Sequence, residues 1–138
     1  MKVVVIDGQS GRMGQLFIER ARAAELSCEI VAVGTNAIAT AAMLKAGADA
    51  AATGENAVIF NAQRADVILG PVGIAFANSM MGEISPAMAA AVSSSRAKKL
   101  LIPMTRCHVQ IMGTTPAPLA AYIAEAVELL KSMPQNCP

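Results

Sequence analysis

Charge is scarce in this 138-residue chain: Lys, Arg, Asp and Glu make up 15% of it, the formal net charge is +1, and no basic run occurs. Soluble domains carry roughly 25% charged residues. A nucleic-acid partner requires a basic face, so that class is set aside. No apolar run approaches the ~20 residues that cross a bilayer, and a buried-strand pattern begins directly after Met1, so neither a membrane span nor a signal peptide is expected. The expected location is cytoplasmic. Cys28, Cys107 and Cys137 are odd in number, widely spaced and without a Cys-x-x-Cys pair, which reads as reduced thiols rather than a disulfide framework. With His108 as the single histidine, no metal-ligand spacing exists. The absence of Gly-Lys-Ser/Thr excludes a Walker-type triphosphate loop, and the absence of Gly-x-Ser-x-Gly removes the nucleophile elbow of α/β hydrolases.

Apolar residues, by contrast, are 54% of the chain. Its length suits one domain spanning 1–138, large enough to bury roughly two thirds of its unfolded surface. Apolar surface should remain after that fold closes. The nine methionines, Met80 and Met81 adjacent among them, suit either core filling or an adaptable contact, and a homo-oligomer is the expected outlet.

The first fourteen residues organise the rest. Val3, Val4, Val5 and Ile6 are uniformly apolar and β-branched, as in a strand buried on both faces of a parallel sheet. Gly8, Gly11 and Gly14 follow at intervals of three and lead into an amphipathic stretch from Arg12 to Glu25. Strand, glycine turn and helix is the order of a dinucleotide-binding unit, in which the helix N-terminus offers unpaired N–H groups to a phosphate.

Further along, Glu29 to Gly34 reads as a second strand, Asn36 as a helix cap and Gly47 as that helix's end. Ala48 to Thr53 is a weaker strand. A helix from Glu55 to about Gln63 precedes a fourth strand, Asp66 to Leu69, and the glycine-rich Gly70-Pro71-Val72-Gly73. A short helix is predicted over Ile74 to Met81, another at Ser85-Pro86, a fifth strand over Lys99 to Pro103, an edge or returning strand over His108 to Met112, and a last helix from Thr115-Pro116 to about Lys131. Strands alternating with helices imply right-handed βαβ units: a three-layer, Rossmann-like α/β fold, mostly parallel, with strand order 3-2-1-4-5. That order opens a crevice above the carboxyl ends of strands one and four, with a glycine-rich loop on each side.

Over nearly its whole length the chain resembles a small bacterial family known as a domain of unknown function. Locally, Gly-Gln-Ser-Gly-Arg-Met-Gly is similar to the Gly-x-x-Gly-Arg-Met-Gly loop of the nucleotide-binding domain of dihydrodipicolinate reductase, which in that family holds NADPH or NADH. The resemblance covers the first strand and helix, and Asp7 replaces a small neutral residue of that family. The cofactor-binding candidates are therefore Gly8, Gln9, Ser10, Gly11, Arg12, Met13 and Gly14, joined by Thr35, Gly70, Pro71 and Gly73. Asp7 is read as a brace for the loop. The acid that usually meets the adenosine ribose should end the second strand, but Gly34-Thr35-Asn36 stands there. NADP, its extra phosphate met by Arg12 and Thr35, is then as reasonable as NAD or a mononucleotide.

Thr105-Arg106-Cys107-His108 is the densest reactive cluster, and Arg106, Cys107 and His108 are the catalytic candidates. Adjacent residues of an extended segment point to opposite faces, which argues against a Cys/His nucleophile pair. The leading expectation is a Rossmann-like protein binding a phosphorylated, nucleotide-type small molecule. The alternatives are a small NAD(P)-dependent oxidoreductase completed by a neighbouring subunit, and a non-catalytic sensor or assembly subunit whose glycine loop is structural.

Overall fold

A computed structural model describes residues 1–104 and 108–134. Five parallel strands, β1 (Lys2–Asp7), β2 (Glu29–Gly34), β3 (Ala50–Thr53), β4 (Val67–Pro71) and β5 (Lys98–Ile102), form one sheet in the order β3-β2-β1-β4-β5. The helices are α1 (Arg12–Ala23), α2 (Ala37–Lys45), α3 (Glu55–Ala62), α4 (Pro86–Ser94) and α5 (Leu119–Ser132). This is the α/β architecture and the strand order that the alternation of elements implied.

The central strand shows why the layers form. Strand side chains alternate between faces, so Val3 and Val5 join Phe17, Ile18 and Ile123 in a core on the α1 and α5 side. Val4 and Ile6 join Val58, Met88 and Val92 in a second core beneath α3 and α4. β1 pairs with β2 from Lys2↔Glu29 to Asp7↔Gly34 and with β4 from Val3↔Val67 to Val5↔Leu69. The chain leaves β1 into α1 on one face and leaves β4 toward α4 on the other, so the switch point lies between β1 and β4.

Local signals were obeyed where side chains decide them. Asn36 Oδ1 accepts from the Ala39 amide at 2.9 Å, and Ser85 Oγ accepts from the Met88 amide at 3.2 Å with Pro86 at the first helical position. Three expectations require correction. No helix spans Ile74–Met81: a 3-10 turn covers Val72–Ala75, and an irregular segment follows in which Asn78, Met80 and Met81 hold φ of 66°, 56° and 58°. Residues 108–112 form no strand, so the described sheet is wholly parallel. The last helix starts at Leu119 rather than at Pro116, because Pro118 bars the helical conformation at Ala117.

Candidate functional site

The site is built around the end of β1, where Asp7 is 5% exposed. Its carboxylate accepts from the Gly8 amide through Oδ1 and from the Gly14 amide through Oδ2, each at 2.8 Å. The turn therefore folds around an internal anion at the N-terminus of α1, where the helix dipole favours negative charge. Burial pushes the Asp7 carboxyl above its ordinary value; the amides of Gly14, Gly8 and Met13 offset this only in part, and the charge of Glu83 adds to the rise. Asp7 is the loop brace that the sequence indicated.

Each glycine of the turn meets a different neighbour. Gly11 has φ of 72° and donates its N–H to the Gly8 carbonyl at 2.9 Å. A Cβ on Gly11 would lie 2.7 Å from Ala39 Cα and 2.9 Å from the Ala39 carbonyl oxygen, so this glycine admits the backbone of α2. A Cβ on Gly14 would strike Met43 of α2. At Gly8 it would come within 2.7 Å of Met80 Sδ, 2.7 Å of Thr35 Oγ1 and 3.2 Å of Glu83 Oε1. Gly8 thus lies beneath side chains of the segment that follows β4.

Glu83 is the residue that sequence reasoning passed over. Its Oε1 accepts from Thr35 Oγ1 at 2.6 Å, Asn36 Nδ2 at 2.7 Å and the Gln9 amide at 3.0 Å. Burial alone would push this carboxyl up, but the bonds from Thr35, Gln9 and Asn36 outweigh it and hold the carboxyl below its ordinary value. An acid therefore does stand at the end of β2, supplied from across the crevice. Met13 is buried; Gln9, Ser10 and Arg12 are exposed along the outer side of the turn.

The second glycine-rich stretch takes a different position. Gly70 and Pro71 belong to β4 and are buried; a Cβ on Gly70 would run into the Ile6 carbonyl, so this glycine lets β1 and β4 approach. Gly73 is buried in the 3-10 turn, and its carbonyl accepts from Ser79 Oγ. His108 lines a cavity of about 530 Å³ with Val72, Met104, Ile111 and Tyr122, among others, and no residue of the 8–14 turn contributes to that cavity. The structure thus gathers Gly8, Gln9 and Thr35 at one place and puts His108 at another. Thr105, Arg106 and Cys107 lie outside the described residues.

The sequence matches the family described as Domain of unknown function (DUF3842) over residues 2–135. The chain belongs to that family. No curated protein was found to match it. Among solved structures it is similar to a dodecameric FMN-dependent UbiX-like decarboxylase from Escherichia coli O157:H7. The two are 17% identical, with 95% of this chain and 76% of that chain covered and a TM-score of 0.46. So distant a likeness transfers neither the flavin nor the reaction.

Cys28 of this DUF3842 member is a free thiol just before β2, at the opposite end of the sheet from the turn. Burial raises its pKa, and the positive charge of Arg22 offsets that only in part. Among the described residues no three His, Cys, Asp or Glu side chains gather as a metal site. None of the described helices is long and apolar enough to cross a membrane.

Proposed function

We propose that this DUF3842 protein binds a phosphorylated, nucleotide-type small molecule, NADP(H) first among candidates, across the carboxyl ends of β1 and β2. One observation carries the reading: three donors, the Gln9 amide, the Thr35 hydroxyl and the Asn36 amide group, converge on a single anionic oxygen beside a glycine turn. A carboxylate and a phosphate oxygen ask for the same donors, and charge-assisted bonds of this kind are about twice as strong as neutral ones. Exposed Arg12 supplies a cation on the rim. The glycine turn leaves β1, which borders the switch point between β1 and β4, the region where open α/β sheets bind ligands.

The test is a thermal-shift screen with NADPH, NADH, FMN and adenine nucleotides. A ligand at 100 times its Kd adds about 2.7 kcal/mol, worth on the order of ten degrees in a domain of this size. If none of them moves the melting temperature, the reading fails. A second reading, a sensor or assembly subunit with a structural glycine turn, is favoured by Asp7, which holds the amides of Gly8 and Gly14 that a phosphate would otherwise use. We take the assembly to be a homo-oligomer, since Ile38 (72% exposed) and Leu44 stand on the outer face of α2. In an oxidoreductase the cavity beside His108 would receive the substrate.

A further inference from the structure

We infer that residues 76–84 form a displaceable strap whose Glu83 carboxylate occupies the place of the ligand's anionic group, so that binding requires the strap to open. The inference rests on the ligand reading above and adds a regulatory element to it. The space over Gly8 is filled from the strap by Met80 and Glu83 and from the end of β2 by Thr35. Glu83 takes its three hydrogen bonds from the 8–14 turn, the end of β2 and the cap of α2. All three donors belong to the other side of the crevice. No phosphate oxygen can reach them while Oε1 holds them.

The strap's own anchors lie elsewhere. Ser79 Oγ donates to the Gly73 carbonyl, the Phe76 amide donates to the same carbonyl at 3.0 Å, and Ile84 is fully buried against the α3 and α4 core. Releasing Glu83 therefore leaves both ends of the strap attached. Between those ends the backbone is in an unfavourable state: Asn78, Met80 and Met81 all have left-handed φ, and Met81 is 95% exposed. Left-handed φ is uncommon for a residue as bulky as methionine. Burial cannot hold Met81 in that state, because its side chain has almost none. Backbone bonds from the Gly82 and Ile84 amides to the Ser79 carbonyl and from the Glu83 amide to the Met80 carbonyl close this turn on itself, so it can lift as a unit. The Glu83 side-chain bonds and the Met80 contact over Gly8 are the latch that holds the closed turn down against the crevice.

A phosphate is the matching key. It brings more charge and more acceptor oxygens than one carboxylate oxygen to the same three donors. The apparent Kd is the intrinsic Kd divided by the fraction of molecules already open, so removing the latch should strengthen binding.

The experiment compares wild type with Glu83→Ala, Glu83→Gln and Met80→Ala, using inorganic pyrophosphate and NADPH as separate probes. Calorimetry gives affinity, and hydrogen–deuterium exchange follows peptides covering 76–84. The expected result is that each probe that binds raises exchange in the wild-type strap. Glu83→Ala should exchange rapidly there without ligand and bind roughly tenfold more tightly if the latch holds the open fraction near ~10%. Glu83→Gln should fall between the two. Met80→Ala uncovers Gly8 without touching the carboxylate and should shift binding in the same direction. Weaker binding by Glu83→Ala would overturn the inference and make Glu83 a direct contact for ligand hydroxyls. NADPH binding with unchanged strap exchange would remove the strap and leave the nucleotide reading in place. Pyrophosphate opening the strap while NADPH fails to bind would do the reverse. If neither probe binds wild type or Glu83→Ala, both readings fall.

Discussion

Replacing Gly11 with alanine should destabilise the protein more than any single methyl group normally would, and the structure divides the loss into two parts. The first is conformational. With φ at 72°, an L-residue is held in the left-handed region at a cost of roughly 1–2 kcal/mol. The second is steric: the new Cβ would sit 2.7 Å from Ala39 Cα, about 1 Å inside the usual ~3.5–4.0 Å carbon separation. The obstacle is helix backbone, and α2 cannot retreat freely because Met43 is buried and Asn36 caps it. Overpacking of this kind costs about 1–3 kcal/mol, for a sum of roughly 2–5 kcal/mol. At on the order of 3–5 °C per kcal/mol for this chain length, melting should fall by roughly 6–25 °C. Gly82→Ala is the matched control, since Gly82 has φ of 87° but nothing within 4 Å of a Cβ. It should lose only the conformational part, about 1–2 kcal/mol. Urea denaturation of both variants gives the difference directly. Equal losses, or a Gly11→Ala protein as stable as wild type, would refute the argument that this glycine exists to admit α2.

Asp7→Asn should also destabilise, by about 1–3 kcal/mol, because an amide can accept from only one of the Gly8 and Gly14 N–H groups and turns a donor toward the other. The pH dependence is a second check. Burial holds the Asp7 carboxyl above its ordinary value, so the folded state binds that proton more tightly than the unfolded chain. Wild-type stability relative to Asp7→Asn should then increase as the pH falls from neutral through the raised pKa; chemical denaturation at pH 7 and pH 5 showing a narrowing gap would contradict this. Light scattering at tens of micromolar should find a dimer or larger, given the exposed Ile38 and Leu44, and a clean monomer would remove the oligomer from the proposal.

Much of the fold was legible because its signals are local or periodic. Ser85-Pro86 and Asn36 announce their helices by chemistry that needs no tertiary context, and the run Val3–Ile6 declares a strand covered on both faces. The segment after β4 was not legible for the opposite reason. Ile74 to Met81 has the composition of a helix, but its backbone is set by Ser79 reaching Gly73, by buried Ile84 and by Glu83 bonding to Thr35 and Asn36, partners far away in sequence. At the last helix the cue was present and misweighed: Thr115-Pro116 reads as a start only if Pro118 is ignored. The candidate site divides in the same way. The glycine spacing marked the turn, and Asp7 at the end of β1 marked its brace. Glu83 gave no sign, since an acid in a loop is ordinary until the sheet order puts that loop over Gly8.

The central place of β1 has a consequence for biosynthesis. Lys2–Asp7 pairs along its length with β2, but on the other side Val3–Val5 pairs only with Val67–Leu69, made some 65 residues later, on the order of 3–13 s at roughly 5–20 residues per second. For that interval the nascent chain carries a β-branched apolar segment with one edge open, the kind of sequence that self-associates. Lys2 and Asp7 stand at its two ends, as charged gatekeepers commonly flank such strands. The carboxylate that later organises the glycine turn would thus serve earlier, on the ribosome, by keeping unfinished chains apart.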